Sequence, residues 1–500
     1  MIKIKFLNNY INKSPNFVKF LLAFLNAYFF VKEGAKLNEM KENPDGELTQ
    51  TTKNYVVKLS FWGLLGVVIS AMVGSGVYSL PQNMAKGAGA LSIIAAWFIT
   101  GFGMFCIVYT FHLLAKAKPE MASGIYSYSQ DGFGNGAGFF TAWGYWLCNI
   151  CANTGIAVIL MEALNYFFPP YFEGGNNLNS LLLSTFIIWV FFILVYRGIK
   201  TATIVNFIGT CFKLIPIFIF IAVALFMFDF NLFKADILSN IHSQDFNFTA
   251  MIGEVKATML VTIWAFIGVE AAVVLTGRAK RTKDISRATL GGFFICLVCY
   301  SLISLLPFGL LSRAEIITFP NPSTAGVLES VLGKAGGLLM TVGLIVSVLF
   351  SLLSWMIIAT EIPFSAAKKG LYPKIFLKEN NRKVPIVSLL VSTLTMQATL
   401  FMAFFSYNAW DTMLCITGVM VLPVYFLTTL YLFKISRKRK FTQTCNVSRP
   451  KAIFIGSCGI IYALWLIYAA ELKYLALALI FYLIGVPVYL AAKREQKEIK

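Results

Sequence analysis

Twelve separate apolar stretches, each long enough to cross a hydrocarbon core of roughly 30 Å, constrain this chain more than any other feature. In order they cover about 61–80, 90–114, 137–167, 180–196, 203–228, 257–277, 289–311, 336–361, 386–405, 410–433, 452–470 and 473–492. A lipid core offers no water to unpaired backbone groups, so spanning segments are helices or strands of a closed barrel. These runs are too long and too evenly apolar for the alternation of a barrel strand. The expectation is an all-α polytopic membrane protein with 12 transmembrane helices. Composition agrees: 58% of the 500 residues are hydrophobic and only 13% are charged.

The formal charge of +19 suits either nucleic-acid binding or orientation in a membrane, and its placement decides between them. Lys116 and Lys118 lie between spans two and three, and Arg197 and Lys200 between four and five. Arg278, Lys280, Arg281, Lys283 and Arg287 follow span six. Lys368, Lys369, Lys374, Lys378, Arg382 and Lys383 follow span eight, and Lys434, Arg437, Lys438, Arg439, Lys440, Arg449 and Lys451 follow span ten. The alternate loops hold Lys86, Lys234, Lys256, Arg313, Lys334 and Lys473. Basic residues thus recur on one side with a two-span period, the positive-inside pattern. It predicts a multi-pass protein of the inner (plasma) membrane with both termini cytoplasmic, whose charge orients it in the bilayer and needs no nucleic-acid partner.

Most of the nine cysteines fall inside spans. Cys148/Cys151 and Cys296/Cys299 form CxxC pairs, but no histidine or further thiol accompanies either pair, so they read as small apolar packing residues. His112 sits at the basic end of span two, as an interfacial residue would. No metal or cofactor is expected. Residues 1–55 form an N-terminal cytoplasmic extension with an apolar, aromatic run from Phe17 to Val31. A signal peptide fits poorly, because no small-residue cleavage site follows. An amphipathic surface helix and an over-extended start, with Met40 as the true first residue, both remain open.

Two spans are interrupted at their middles. Span one carries Gly74–Ser75–Gly76 and then ends at Pro81; span six carries Ile267–Gly268–Val269–Glu270. Glycine costs a helix about 1 kcal/mol relative to alanine, and an acid near the bilayer centre is expensive on any scale. A membrane helix keeps both where an unwound stretch lines a polar cavity. The two breaks are five spans apart, as in two five-helix inverted repeats that each open with a broken helix and share a site between them. The repeats would be 58–228 and 256–433, followed by two C-terminal helices over 450–492 and a cytoplasmic tail, 493–500. Each break also has a plainer reading. Gly-Ser-Gly serves equally for close helix packing, and Glu270 could pair with a polar neighbour.

At these residues the chain resembles the amino acid–polyamine–organocation superfamily, and within it the basic amino acid/polyamine antiporters. The likeness covers roughly 58–492. Gly74-Ser-Gly-Val-Tyr-Ser-Leu-Pro81 resembles the span-one motif, and Lys118-Pro-Glu-Met-Ala-Ser-Gly-Ile-Tyr-Ser-Tyr128 through Gly132-Phe-Gly134 the loop after span two. Trp264-Ala-Phe-Ile-Gly-Val-Glu270 is similar to the broken span six of arginine exchangers. Ser354-Trp355 and Ala366-Ala-Lys-Lys-Gly-Leu-Tyr-Pro373 resemble span eight and its following loop. Jointly these motifs are specific, and the whole chain looks most like arginine/ornithine antiporters. The resemblance implies a LeuT-like 5+5 inverted repeat with broken helices 1 and 6, and leaves a homodimer open.

Physical chemistry and the resemblance assign the same roles. Amides freed at Ser75 and Gly76, at the start of a half-helix, suit a substrate carboxylate. Carbonyls near Ile69 and from Trp264 to Ile267 suit its ammonium. Glu270 is the acid at the heart of the constellation and would attract a cation or carry a coupled proton. Trp264 resembles the family's gating tryptophan, where stacking on a guanidinium gains roughly 1–2 kcal/mol when desolvated; its plainer role is helix packing. Trp355 matches a second aromatic at the side-chain end of the substrate, and Asn153 a polar span-three residue facing that end. Tyr145 would help close the pocket. Cys148 and Asn149 depart from the pattern of the arginine/agmatine exchangers, so the resemblance carries "cationic amino acid" further than it carries arginine. Lys213, in span five, matches a lysine that stands in some relatives where sodium sits in sodium-coupled transporters; its plainer reading is snorkelling to the interface. Glu361 borders the expected inner gate. Glu162 lies deep in span three, and Asp411 reads as an interfacial cap.

Three functions follow as expectations. The first is an antiporter exchanging arginine or lysine for ornithine or a related amine, electroneutral for two monocations, with Glu270 as counter-charge. The second is a proton-coupled amino acid importer (a symporter) using Lys213 or Glu270. The third is a transporter-like nutrient sensor signalling through residues 1–55. No nucleophile–base pair or phosphate loop in the spans points to an enzyme.

Overall fold

A computed structural model of the chain describes residues 61–118, 121, 125–242, 248–270, 282–438, 441 and 447–497. The expectations for residues 1–55 and Met40, for the second half of span six and for much of the basic loop after it lie outside the described residues.

Apart from an isolated bridge between Glu379 and Pro385, every regular element among the described residues is helical. The first span is α1 (Phe61–Met72), a 3₁₀ turn (Ser75–Ser79) and α2 (Leu80–Gly87). Then come α3 (Ala90–Ala117), α4 (Tyr126–Phe133), α5 (Asn135–Asn165), α6 (Leu178–Tyr196), α7 (Ile199–Phe226), α8 (Phe230–His242) and α9 (Phe248–Phe266). The later part holds α10 (Thr282–Leu305), α11 (Arg313–Thr318), α12 (Ser323–Leu332), α13 (Lys334–Lys368), α14 (Ile386–Phe404), α15 (Ala409–Ser436), α16 (Arg449–Ala469) and α17 (Leu472–Lys497). Among the described residues ten helices are long and apolar enough to cross a bilayer, and eleven if α7 and α8, bent by 90° at their junction, are counted as one span. The broken first span is outside that count because neither half is long enough alone.

The break in span one has a local cause. Gly74 is extended (φ −117°, ψ −152°), so the α1 hydrogen-bond ladder stops with the Val73 amide on the Ile69 carbonyl at 2.8 Å. The chain restarts at Leu80 with Pro81 in the first helical turn, where a missing N–H removes no hydrogen bond.

α5 is the axis of the bundle: 89% of its apolar window is buried, against 17% for α17. It packs on both α13 and α15, so side chains from spans three, eight and ten converge on its faces. Lipid-facing residues are apolar instead, such as Phe186 on α6 and Leu479 on α17. Such a pattern needs no further explanation in a bilayer.

Two remote acids cap α3. The Ala90 amide donates to Asp236 on α8 at 3.0 Å, and the Gly89 amide to Glu254 on α9 at 3.4 Å. Negative charge suits this helix end, where amides lack partners and the dipole is positive. Arg313 adds a bridge, 3.3 Å from Glu254 and 2.9 Å from the Ala85 carbonyl. In the loop before α11, Ser312 and Glu315 form a reciprocal capping box, and these hydrogen bonds hold the Glu315 carboxyl below the usual range. On the face of the basic loops, α4 is held by α15: the Tyr431 hydroxyl donates to Asp131, and Lys434 reaches the Gly132 carbonyl at 2.6 Å. Lys369 donates to the Ser127 hydroxyl on the same helix.

Candidate functional site

The two breaks meet. Gly268 has φ +107°, a conformation L side chains rarely adopt, and a Cβ there would lie 2.6 Å from the Ala71 carbonyl oxygen. The unwound turn of span six therefore rests against the end of α1. The Trp264 indole lies on the 3₁₀ turn so closely that a Cβ at Gly76 would sit 2.3 Å from its Nε1. Trp264 meets Trp410 of α15 edge-on, with ring centroids 5.7 Å apart at 77°.

At the end of the same turn, Glu270 is fully buried. The Tyr145 hydroxyl donates to its Oε1 at 2.8 Å, the Tyr425 hydroxyl to Oε2 at 3.4 Å and the Gly268 amide to Oε2 at 3.2 Å. A buried acid is tolerated when its oxygens are hydrogen-bonded, and here spans three, six and ten supply the donors.

Between the breaks lies a cavity of about 30 Å³ lined by Ser75, Gly76, Trp264, Ile267 and Trp355 among the expected site residues. Thr417 of α15 joins them. The Ser75 and Thr417 hydroxyl oxygens are buried without a partner among the described residues. Such groups cost roughly 1–3 kcal/mol when left unpaired, which a polar ligand would offset. The cavity is far smaller than the roughly 300–1,000 Å³ of a ligand pocket, so the indole and its neighbours must move to admit a ligand of that size.

Other expected residues lie around this centre. The Ile69 carbonyl takes the Val73 amide at 2.8 Å, and those of Trp264 and Phe266 take Ile267 and Val269 at 3.2 and 3.1 Å. Asn153 is fully buried on α5 but outside the cavity lining, which α5 reaches through Ala152 and Ile156. Its amide donates to the Asn149 carbonyl at 3.1 Å, and that of Asn149 to the Tyr145 carbonyl at 2.6 Å. Lys213 is buried in α7, with Cys296 of α10 nearby, and its carbonyl accepts from the Tyr78 hydroxyl at 2.9 Å. Glu361, on α13, neighbours Tyr126 and Lys368 towards the basic-loop face. Glu162 accepts from the Asn321 amide at 3.1 Å, and Asp411 pairs with Lys86 at 3.3 Å in the first turn of α15. Cys148, Cys151 and Cys296 are buried free thiols, and no metal-ligand cluster occurs among the described residues.

Sequence reasoning missed Tyr425, Trp410 and Thr417. All three sit in one apolar run, and a tyrosine among 21 carries no mark of its own until α15 is packed against α5 and α9.

A polytopic helical bundle in which a broken first span and the unwound turn after α9 enclose a small cavity, holding two hydroxyls without a partner among the described residues, is the architecture of a membrane permease. The chain belongs to the amino acid permease family, whose profile matches residues 59–491. It is 49% identical over 453 residues to a protein of Chlamydia pneumoniae named as an arginine/agmatine antiporter, covering 90% of this chain and 93% of that one. Proteins of the same name from Chlamydia abortus and Chlamydia trachomatis serovar L2 are 47% identical over 438 residues and 46% over 437, each covering 87% of this chain and 90% of the relative. The chain is thus a multi-pass membrane protein of a family that handles amino acids.

Proposed function

We propose that this protein is an antiporter of cationic amino acids that exchanges arginine for a related amine, agmatine or ornithine, by alternating access. The observation that carries the proposal is the fully buried Glu270 at the end of the turn whose Ile267 lines the cavity where the two breaks meet. The relatives' names support the substrate class. In this reading the amides near Ser75 and Gly76 take a carboxylate, Trp264 stacks on the guanidinium, and Trp355 lines the other end of the substrate. Ile267 lines the site, and Ile69 and Asn153 shape it from behind. Tyr145, Trp264 and Glu361 belong to the gates, and Glu270 and Lys213 hold the charges that coupling must balance.

The proposed topology has 12 spans, formed by the inverted repeats 58–228 and 256–433 and the final pair over 450–492. Both termini face the cytoplasm of an inner membrane. Residues 1–55 are dispensable for transport, which an active chain starting at Met40 would bear out and a well-expressed inactive one would refute. A homodimer fits the lipid-facing α6 and α17 equally with a monomer, and cross-linking in membranes separates them.

Exchange in reconstituted vesicles tests the function. Labelled arginine should enter vesicles preloaded with ornithine or agmatine and fail to accumulate in empty ones. Membrane potential then identifies the counter-substrate. Arginine and ornithine each carry one net positive charge, so their exchange moves none. Agmatine carries two, so arginine entry against agmatine exit moves one positive charge outward, and an inside-negative potential opposes it by roughly 2.3 kcal/mol per 100 mV. Steady uptake into empty vesicles under an inside-negative potential would reject exchange. It would favour uniport or the proton-coupled reading, which the buried Lys213 supports.

A further inference from the structure

On the face opposite the basic loops a second cavity, of about 630 Å³, opens between α2, α9, α15 and the start of α17. Its volume falls within the range of small-molecule sites. Val261 and Leu414 line it, and each is three residues from Trp264 and Thr417 of the central cavity. Three residues of helix rise about 4.5 Å, so one helical turn and the Trp264–Trp410 contact separate the two spaces.

Two acids and two lysines line this vestibule, so a cationic ligand would find its acceptors already paired with ammonium groups. Asp411 and Glu471 line it, paired with Lys86 at 3.3 Å and Lys473 at 2.7 Å. Lys86 and the Asn408 amide both reach Asp411 through Oδ2, which leaves Oδ1 without a partner among the described residues. Asn83, in α2, is only 6% exposed, lines the cavity, and has a side-chain oxygen with no partner among the described residues. An amide oxygen only accepts, so these two free acceptors call for a ligand that donates. The vestibule also shows a cation on an aromatic ring: Lys473 lies 4.7 Å from the centroid of Tyr474, which lines it.

We propose that this vestibule is an outer subsite for the guanidinium or primary ammonium of a basic substrate, bound between Asp411 and Asn83 before Trp264 gives way. The proposal rests on the reading of the protein as a carrier of cationic amino acids and adds a second site to it. Lys86 is then a resident competitor: its ammonium holds the carboxylate until the substrate's cation shares or takes it. Because Asn83 is on the half-helix of span one and Asp411 on α15, the bound cation bridges two elements that face each other across the entrance.

The test compares two substitutions that break the same ion pair. Asp411→Asn removes the substrate's acceptor, whereas Lys86→Gln removes its competitor. In vesicles with right-side-out protein, Asp411→Asn should raise the KM for external arginine by about three- to ten-fold, and Lys86→Gln should lower it by about two- to three-fold. Neither should move the KM for internal substrate. Asn83→Leu, which leaves the ion pair intact, should act like Asp411→Asn but more weakly. Equilibrium binding of labelled arginine to the purified full chain should show a weaker second component that Asp411→Asn removes. If both ion-pair variants shift KM in the same direction, or if arginine binds with one component unchanged by Asp411→Asn, the outer subsite is overturned while the exchange activity stands. If wild-type protein neither binds nor exchanges arginine, the carrier reading fails first and the subsite with it.

Discussion

Beyond Trp264, on the face away from the basic loops, lies an open vestibule of about 630 Å³ whose nearest ion pair, Lys86–Asp411, is about a third exposed on each side. From Glu270 towards the basic loops the way is filled. Tyr145 and Tyr425 close on the carboxylate, and α4 is fastened by Lys369, Tyr431 and Lys434. On the vestibule side of Trp264 the packing is one edge-on pair of indoles, Trp264 and Trp410, and in the proposed reading that pair is the thin barrier, worth about 0.5–1.5 kcal/mol beyond its area. On the basic-loop side the packing is a network of hydrogen bonds whose partners are shared among several spans, and in the proposed reading that network is the thick barrier. In that reading, opening towards the vestibule moves the Trp264 indole and its neighbours, whereas opening towards the basic loops breaks several hydrogen bonds together. The difference teaches where substrate energy would be needed: under the proposed function, a cation that competes for Glu270 acts on the thicker barrier.

The largest expected effect comes from filling the contact between the 3₁₀ turn of span one and Trp264 of α9. Gly76→Leu drives a side chain into the Trp264 indole and should cut exchange by about a hundred-fold or more. Size-exclusion chromatography and tryptophan emission would show a folded chain with a displaced indole; normal exchange would mean that Trp264 already leaves the turn at no cost. Next, Glu270→Gln should weaken cationic substrates by about thirty-fold and neutral amino acids far less. Equal losses in competition binding would make Glu270 a structural group. Trp264→Ala tests the thin barrier: arginine affinity should fall by about ten-fold, and unchanged kinetics would return the residue to helix packing. On the thick barrier Tyr145→Phe should exceed Tyr425→Phe, about ten-fold against about three-fold in the coupling of uptake to counter-substrate, following hydrogen bonds of 2.8 and 3.4 Å. A reversed order would separate gate strength from these geometries. The smallest effect belongs to Lys369. Burial holds its ammonium below the usual lysine range, so rising pH removes its proton earlier than from an exposed lysine. Lys369→Arg keeps the charge at every accessible pH. It should flatten an alkaline rise in leak by about two-fold, and an identical pH profile would take Lys369 out of the gate.

The breaks were the most legible part of the site because they violate local rules in an apolar setting. Gly74 and Gly268 stop helices for reasons visible in their own residue types, and Glu270 is conspicuous wherever it falls in a span. Span five shows the limit of hydropathy. Its expected run, 203–228, ends where α7 does to within two residues, but the 90° bend into α8 was not foreseen. The segment Phe230–His242 mixes apolar and polar residues and has no long apolar window, and its orientation follows from Asp236 reaching the α3 amides. Likewise α13 continues as helix to Lys368, beyond the apolar run that ends near 361, because helix formation does not stop where the lipid does. Tyr425 and Trp410 were illegible for another reason: aromatic residues are common throughout the spans, and only their partners, Glu270 and Trp264, distinguish them.

The contact between Gly268 and the Ala71 carbonyl has a mechanical meaning. The end of α1 and the unwound turn after α9 touch there and share one pivot, so neither can tilt far without pressing on the other. A lever with a common fulcrum converts a small push at one arm into a coordinated swing of both. The pivot stays slender because the bearing surface on one side carries no side chain at all. A methyl group at position 268 would act like grit in that bearing, stiffening the swing even if every substrate contact survived.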